Sequence, residues 1–155
     1  MVKTLLTKKL PAEIILPRPQ PKQKQAMLAK KKIVIFGGAR GGGKSMFIRI
    51  KALALCLKWA GIVCVIIRRT YPELRENHIE KIKDMVHCGQ RNAAAKYNGK
   101  DKEMTFPNGS KIIFRACDNE NALTKVQGQE YDVMFIDEAA NFPEDWLMWS
   151  KRSPK

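Results

Sequence analysis

Runs of apolar residues, separated by glycine, proline and charged residues, divide the chain into alternating strand-like and helix-like segments. Continuous apolar runs at residues 32–36, 62–67 and 133–136 predict buried strands, because a strand in a parallel sheet is covered on both faces. Apolar residues at helical spacing predict helices after the first two runs, over residues 46–59 and 73–86. Strands that alternate with helices indicate an α/β fold with a mainly parallel sheet flanked by helices.

The remaining segments are shorter. Asn108 and Gly109 stand between the strand-like residues 104–106 and 112–114, a pattern that predicts a β-hairpin inserted into the sheet. Four prolines indicate that residues 1–21 are extended. One domain is expected over residues 22–155, which also contain three predicted short helices, at residues 22–30, 123–127 and 143–149.

A glycine-rich stretch joins the first predicted strand to the following helix. Residues 38–45 fit the phosphate-loop pattern G-x-x-x-x-G-K-[ST] at every position. Main-chain N–H groups in such a loop and the positive end of the helix form a cradle for phosphate. The expected nucleotide contacts within it are Gly38, Ala39, Arg40, Gly41, Gly42, Gly43, Lys44 and Ser45. The alternative, a chance glycine-rich turn, is disfavoured by the strand before the motif and the helix after it.

Three side chains of this loop have predicted roles in chemistry. Lys44 is expected to reach the β- and γ-phosphates, and the Ser45 hydroxyl is expected to bind Mg²⁺. Arg40 has two open interpretations. Its guanidinium either stabilises charge at the γ-phosphate, as an arginine finger supplied in cis does, or points to solvent.

Two carboxylates follow the last apolar run. Asp137 and Glu138 come directly after residues 133–136, at the carboxyl end of a predicted strand, where α/β sheets bind their ligands. Asp137 is therefore expected to hold Mg²⁺, and Glu138 to activate the attacking water. A surface acidic pair is the alternative. The pairing of Asp with Glu favours water as the acceptor, and so an ATPase over a small-molecule kinase.

The amino-acid composition indicates what kind of molecule the protein binds. The 155 residues carry 29 Lys and Arg against 15 Asp and Glu, a net charge of +14. This excess indicates a polyanion such as nucleic acid, with a merely solvated basic surface as the alternative. No apolar run approaches the roughly 20 residues that span a bilayer, so no membrane association is expected. His78 and His87 are predicted at the surface or core edge, and Trp146 and Trp149 in packing contacts.

Several segments in this order resemble the large terminase subunit of tailed double-stranded DNA phages, specifically its ATPase domain. The resemblance covers residues 21–150. The similar segments are Gln20-Pro21-Lys22-Gln23, the arginine-containing phosphate loop, Arg68-Arg69-Thr70-Tyr71-Pro72-Glu73-Leu74, the hairpin at residues 105–110, and Gly128-Gln129-Glu130-Tyr131-Asp132. It implies a P-loop NTPase of the additional-strand ATPase class.

The resemblance also implies a function. A protein of this kind hydrolyses ATP with Mg²⁺ to move double-stranded DNA into a procapsid, together with a portal protein and a small terminase subunit. It implies a homo-oligomeric ring in the host bacterial cytoplasm, encoded by a phage or prophage and docked transiently on the portal. Gln23 would recognise adenine, with Gln25 as the second choice. Arg68, Arg69 and Arg75 are candidates for an arginine acting on a neighbouring subunit.

The family also has a coupling strand and a nuclease domain beyond the matching segments. Their absence from this sequence predicts a partial ATPase domain that needs a partner strand. Three other functions stay open at this point. They are a helicase or recombination ATPase of the same class, a module that binds nucleotide or DNA without hydrolysis, and a nucleotide kinase.

Overall fold

The computed structural model of the chain describes residue 14 and residues 16–30, 33–37, 43–91 and 93–146. Helix α1, Pro21–Leu28, begins with a proline, whose missing N–H is one that the first helical turn leaves unpaired. Helix α2, Lys44–Lys58, follows Gly43 and confirms the helix predicted after the phosphate loop. Residues 16–20 form no helix, as predicted, and residues 1–13 lie outside the described residues.

A five-stranded mixed sheet organises the rest of the chain. Its strands are β1, Val63–Arg68; β2, Lys96–Asn98; β3, Glu103–Thr105; β4, Lys111–Ala116; and β5, Val133–Ile136. The spatial order is β2-β3-β4-β1-β5. Strand β1 pairs in parallel with β4 and with β5, whereas β3 is antiparallel to both β2 and β4. The predicted α/β class with an inserted hairpin is confirmed, and β2 is a strand that sequence patterns did not identify.

Helices cover the connections between these strands. The helix predicted over residues 73–86 is an α-helical turn α3, Tyr71–Leu74, then a π-helical turn, Arg75–Ile79, then α4, Glu80–Met85. Helix α5, Glu120–Gln127, precedes β5, and a 3₁₀ turn, Ala139–Asn141, follows it. Among the described residues, no helix is long and apolar enough to cross a membrane.

The alternation of side chains along β1 explains why its residues 63–67 are all apolar. Cys64 and Ile66 belong to a large apolar cluster with α2 and the helices after β1. Val65 and Ile67 face the other side, in a cluster that includes Val126 of α5 and Phe142. Both faces of the sheet are therefore covered, as a parallel sheet requires. In the second cluster Trp146 packs against Phe142, with ring centroids 6.4 Å apart, whereas Trp149 lies outside the described residues.

The strand predicted at residues 32–36 is not formed over the described residues of that run, 33–36. Residues 33–37 are irregular, and Ile33, Val34 and Ile35 are 52%, 45% and 89% exposed. Only Phe36 packs inward, stacked on Phe47 of α2 at 5.1 Å. An apolar run has the hydrophobic pattern of a buried strand. A strand forms only where its main-chain N–H and C=O groups hydrogen-bond to a neighbouring strand. These residues pair with no strand of the described sheet.

The predicted hairpin is confirmed, and its turn also holds the end of helix α2. The Asn108 side-chain amide donates a hydrogen bond to the Cys56 carbonyl (2.7 Å), and the Ser110 hydroxyl lies 2.9 Å from the same oxygen. The Asn108 carbonyl accepts a hydrogen bond from Gly61 N–H (3.2 Å) in the turn after α2. The hairpin turn thus supplies hydrogen bonds at the C-terminal end of α2, where the last carbonyls have no partner within the helix and would otherwise bind water.

Asn108→Ala is expected to lower the free energy of unfolding by about 1 to 2 kcal/mol, because the carbonyl of the buried Cys56 then loses one of its donors. Urea denaturation followed by circular dichroism measures this change. Asn121→Ala is the matched control, since Asn121 is exposed on α5 and should change stability by no more than about 0.5 kcal/mol. Equal effects of the two substitutions would contradict the assigned role of Asn108.

Candidate nucleotide and metal site

The parallel pairing of β1 and β5 brings two charged residues together at one edge of the sheet. Ile67 is in register with Ile136, and the Asp137 N–H continues the ladder by donating to the Ile67 carbonyl at 2.9 Å. Arg68, the last residue of β1, therefore lies beside Asp137, the first residue after β5. This is the carboxyl end of both strands, the edge at which the sequence predicts ligand binding.

The Asp137 carboxylate is buried, with 2% of the residue exposed, and four hydrogen-bond partners surround it among the described residues. Its Oδ2 accepts from Ser45 Oγ (2.8 Å) and from Arg68 Nη1 (2.6 Å), and it lies 2.8 Å from His78 Nε2. Its Oδ1 accepts from the Glu138 N–H at 3.1 Å. Ser45 and Asp137 are thus in direct contact although 92 positions separate them in the sequence.

These contacts explain the ionisation of Asp137. Burial by itself raises the pKa of this carboxyl group, because a charge is poorly solvated in the protein interior. Hydrogen bonds from His78 and Ser45, together with the positive charge of Arg68, outweigh burial and lower the pKa to about 2. Asp137 is therefore a carboxylate at neutral pH and accepts hydrogen bonds only.

His78 has a role that the sequence analysis missed. The prediction of a surface or core-edge position is wrong for His78, which is 0% exposed, whereas His87 is half-buried as predicted. Burial lowers the pKa of His78, against the opposing effect of Asp137, so the imidazole is neutral at pH 7. Because Asp137 only accepts, His78 Nε2 carries the hydrogen. Nδ1 is then a buried acceptor, and no partner for it lies among the described residues.

His78 lies in the π-helical turn between α3 and α4. Leu74 and Ile82 are fully buried, and His78 stands four residues from each, on the stripe that a regular helix would bury. That spacing was a sequence signal for a buried histidine. No sequence signal indicates its contact with Asp137, which is 59 positions away in the chain.

Arg68 connects the two acidic residues that follow β5. Besides Asp137, its guanidinium binds Glu138 Oε1 at 3.1 Å through Nη2 and Glu73 Oε2 at 3.5 Å through Nε. Glu73 also accepts a hydrogen bond from Thr70 Oγ1 at 2.9 Å. Of the three arginines considered for action on a neighbouring subunit, Arg68 lies within its own site, Arg69 donates to the Asn141 carbonyl, and Arg75 is exposed and pairs with Glu80.

Glu138 stands next to Asp137 but differs in exposure and backbone conformation. Its side chain is 43% exposed, and its backbone lies in the left-handed region, with φ +52°. A non-glycine residue in this region costs roughly 1 to 2 kcal/mol, so surrounding contacts must hold it. Asn141 Nδ2 donates to Glu138 Oε2 at 2.9 Å, and Arg68 binds the other oxygen. The carboxylate is thus fixed at the rim of the site while it faces solvent.

Gln23 lies against the start of α2. Its Nε2 donates to the Gly43 carbonyl at 2.9 Å, and its Oε1 accepts from the Gln20 N–H at 2.8 Å. The residue is 3% exposed, whereas Gln25, the second choice for adenine, is exposed. Gly43 has φ +71°, and a Cβ there would lie 2.5 Å from Gln23 Nε2. The positive φ therefore favours glycine, and a Cβ at this position would displace the Gln23 amide from its hydrogen bond to the Gly43 carbonyl.

The described residues bring together only part of the predicted site. Ser45, Asp137 and Glu138 meet at the sheet edge, and Gly43 and Lys44 stand at the start of α2 with Gln23 beside them. The other predicted loop residues, Gly38, Ala39, Arg40, Gly41 and Gly42, lie outside the described residues. In the part of the chain that the structure describes, no group of three or more His, Cys, Asp or Glu side chains could hold a metal.

Comparison with known proteins gives two matches. Residues 35–154 match the family model described as "Terminase large subunit, T4likevirus-type, N-terminal". The fold is similar to a crystal structure of the large terminase from a thermophilic bacteriophage, with a TM-score of 0.65 and 20% sequence identity. That alignment covers 86% of this chain but 36% of the solved chain, so this chain spans about a third of its length. A search of curated proteins gives no significant match.

Gly43→Ala is expected to destabilise the protein by more than Gly61→Ala. Both glycines have positive φ, +71° and +75°, so both substitutions cost roughly 1 to 2 kcal/mol in backbone strain. Only at Gly43 does the new Cβ collide with Gln23, whereas nothing lies within 4 Å at Gly61. Urea denaturation of both variants measures the difference. In a Gln23→Ala background the difference should shrink, and an unchanged difference would contradict the collision.

His78→Ala is expected to lower the free energy of unfolding by about 3 kcal/mol, because it leaves a cavity and removes a donor from the buried Asp137 carboxylate. His78→Gln, whose amide can still donate, should recover part of this loss. His87→Ala is the control for removing a half-buried imidazole, and it should cost less than about 1 kcal/mol. A loss at His78 no larger than at His87 would rule out the structural role.

Proposed function

The chain belongs to the T4-like-virus type of phage large terminase subunits, within their N-terminal part, and from this premise we propose that it is the ATPase of a DNA-packaging motor. The observation that carries the proposal is the direct contact between Ser45 and Asp137, at 2.8 Å. A phosphate loop and an acidic strand end are each common alone. Their meeting at the carboxyl edge of one sheet is what Mg·ATP hydrolysis requires.

The residues present suit Mg²⁺. They offer one ionised carboxylate, Asp137, and one hydroxyl, Ser45, both hard oxygen donors. Mg²⁺ retains several of its waters and binds through one or two carboxylates together with the phosphates of a nucleotide, so a richer acidic cluster is not needed. When bound, the ion would neutralise charge on the transferring phosphoryl group. Ser45 and Asp137 are the residues proposed to hold it.

The start of α2 is proposed to bind the phosphates. The 15-residue helix directs its unpaired N–H groups and the positive end of its dipole toward the loop before it. Lys44, the first residue of the helix, adds a formal charge at the same point. The loop residues Gly38 to Gly42 complete the cradle in this proposal, and Arg40 stabilises the γ-phosphate in the transition state. Gln23, beside Gly43, is proposed to recognise adenine.

Glu138 is proposed to activate the attacking water. A general base must reach solvent and keep one orientation, and the Glu138 carboxylate is partly exposed while Asn141 and Arg68 hold its two oxygens. With Mg·ATP bound, Glu138 would accept a proton from the water that attacks the γ-phosphorus, while the bond from the γ-phosphorus to the β-bridging oxygen breaks and ADP leaves. Arg68 is proposed to position Glu138 and Asp137 relative to each other, since its guanidinium binds both.

Partners and location follow from the family premise. We propose that the chain acts on double-stranded DNA with a portal protein and a small terminase subunit. The working form is proposed to be a homo-oligomeric ring, docked transiently on the procapsid in the cytoplasm of the bacterial host. The net charge of +14 supports a polyanionic substrate, which the protein would contact through DNA phosphates without reading sequence.

A second candidate is a module that binds nucleotide without turning it over. The observation in its favour is the ion pair between Arg68 and Glu138, at 3.1 Å, which engages the proposed base. Hydrolysis would require Glu138 to release or share this partner. Membership in the terminase family favours the packaging ATPase over a helicase, a recombination ATPase or a kinase.

Phosphate release from Mg·ATP tests the proposal. Glu138→Gln is expected to reduce turnover by a factor of about 10² to 10⁴ while nucleotide binding, measured with a fluorescent ATP analogue, is retained. Glu130→Gln is the matched control, because Glu130 is an exposed glutamate before β5 and its turnover should be unchanged.

Three results would change the assignment. Turnover that persists in Glu138→Gln would exclude Glu138 as the base. Nucleotide binding without turnover in the unaltered chain would establish the second candidate. If Ser45→Ala leaves the Mg²⁺ dependence of nucleotide binding unchanged, the proposed metal site is wrong.

A further inference from the structure

A basic cleft lies beside the nucleotide site on the same edge of the sheet. It has a volume of about 700 Å³ and opens between the turn at residues 99–102, the carboxyl end of β4 and helix α5. Four cationic residues line it, contributed by all three elements, and they are Lys100, Lys102, Arg115 and Lys125. The single carboxylate among the lining residues is Asp101.

The positive charge of this cleft is not neutralised by the described part of the chain. Arg115 Nη1 donates to the main-chain carbonyls of Asp101 (3.1 Å) and Phe114 (3.0 Å), and both acceptors are neutral. The Lys102 ammonium lies 4.2 Å from the ring centroid of Tyr71. None of the ion pairs among the described residues includes any of the four cations. With four cations and one carboxylate among its lining residues, the cleft therefore presents net positive charge.

The cations stand on rigid supports. Asn98 Oδ1 accepts from the main-chain N–H groups of Lys100 (3.0 Å) and Asp101 (3.3 Å), and its amide donates to the Asp101 carboxylate at 2.6 Å. Lys102, held at φ +53°, receives a hydrogen bond on its carbonyl from Phe114 N–H (2.9 Å). These bonds fix the main chain of the turn to β4, so little main-chain entropy is lost when an anion binds.

We propose that this cleft binds the phosphate backbone of a DNA duplex, an inference that rests on the packaging function proposed above. Cations on three separate elements suit an extended chain of phosphates better than one compact phosphate group. Single-stranded nucleic acid is held largely by bases stacked on exposed aromatic rings. The one aromatic residue lining the cleft, Phe114, is fully buried, so the cleft offers charge without a stacking surface.

The position of the cleft connects it to the hydrolysis site. Strand β4 lies next to β1, and the Cys117 N–H, just beyond β4, donates to the Arg68 carbonyl at 3.0 Å. Arg68 in turn holds Asp137 and Glu138. Neighbouring strands are about 5 Å apart, so β4, which lines the cleft, lies roughly 10 Å from β5, the strand that precedes the acidic pair.

The double variant Lys100→Ala, Lys125→Ala tests the cleft, because both side chains are exposed and their removal should leave the fold intact. Affinity for a fluorescent duplex is measured as a function of salt. Each lost phosphate contact lowers the slope of log K against log salt by about 0.9, so the expected decrease is about 1.8, with affinity reduced on the order of tenfold or more at about 0.1 M salt. Sequence preference should not change.

Lys58→Ala, Lys81→Ala is the charge-matched control. Lys58 and Lys81 are also exposed, but they lie on α2 and α4, outside the cleft. This control should keep the salt slope of the unaltered chain. Thermal unfolding by circular dichroism verifies that both double variants are folded. Phosphate release without DNA should be equal in both, whereas stimulation of release by duplex should fall only in the cleft variant.

The outcomes separate this proposal from the ATPase proposal. Equal losses of DNA affinity in the two double variants would overturn the cleft, because binding would then follow net charge alone. Tighter binding of an acidic polypeptide or of single-stranded DNA than of duplex would also overturn it. A chain that binds duplex through the cleft but releases no phosphate would support the cleft and contradict the ATPase.

Discussion

Burying the Asp137 carboxylate at the end of β5 costs several kcal/mol of lost hydration unless protein donors replace water. Arg68, His78 and Ser45 supply those donors, each from a different element. The strand β1, the π-helical turn and the start of α2 are therefore all held to one buried carboxylate. Because one oxygen accepts from all three, displacement of any one element weakens the support of the other two.

The hydrogen bonds that stabilise the buried Asp137 carboxylate also prepare it for its proposed role as a metal ligand. The donors that stabilise Asp137 also lower its pKa to about 2, so the carboxylate is ionised and suited to Mg²⁺ at neutral pH. Arg68 binds Glu138 as well, which places the proposed base and the proposed metal ligand on one guanidinium. In the proposed reaction, these contacts hold the acidic pair in place before nucleotide binds.

The sheet also places the basic cleft at the same edge as the acidic pair. Parallel strands end at a common edge, so the carboxyl ends of β4, β1 and β5 follow one another there. The cleft is built on β4 and the acidic pair on β5, with Arg68 at the end of β1 between them. Two sites for phosphate, one for a nucleotide and one for a DNA backbone, are thus proposed at the same edge of one sheet.

The sequence by itself determined the α/β class, the hairpin at Asn108-Gly109, the strands β1 and β5, and the acidic pair after β5, because these depend on local spacing and turn chemistry. Hydropathy also predicted a strand at residues 32–36, yet these residues find no ladder partner and stay irregular. Only the tertiary structure decided that His78 and Arg68 hold Asp137. Neither contact leaves a local pattern, since 59 and 69 positions separate the partners. These contacts form only in the folded chain, because the buried Asp137 carboxylate is stable only when hydrogen-bond donors surround it.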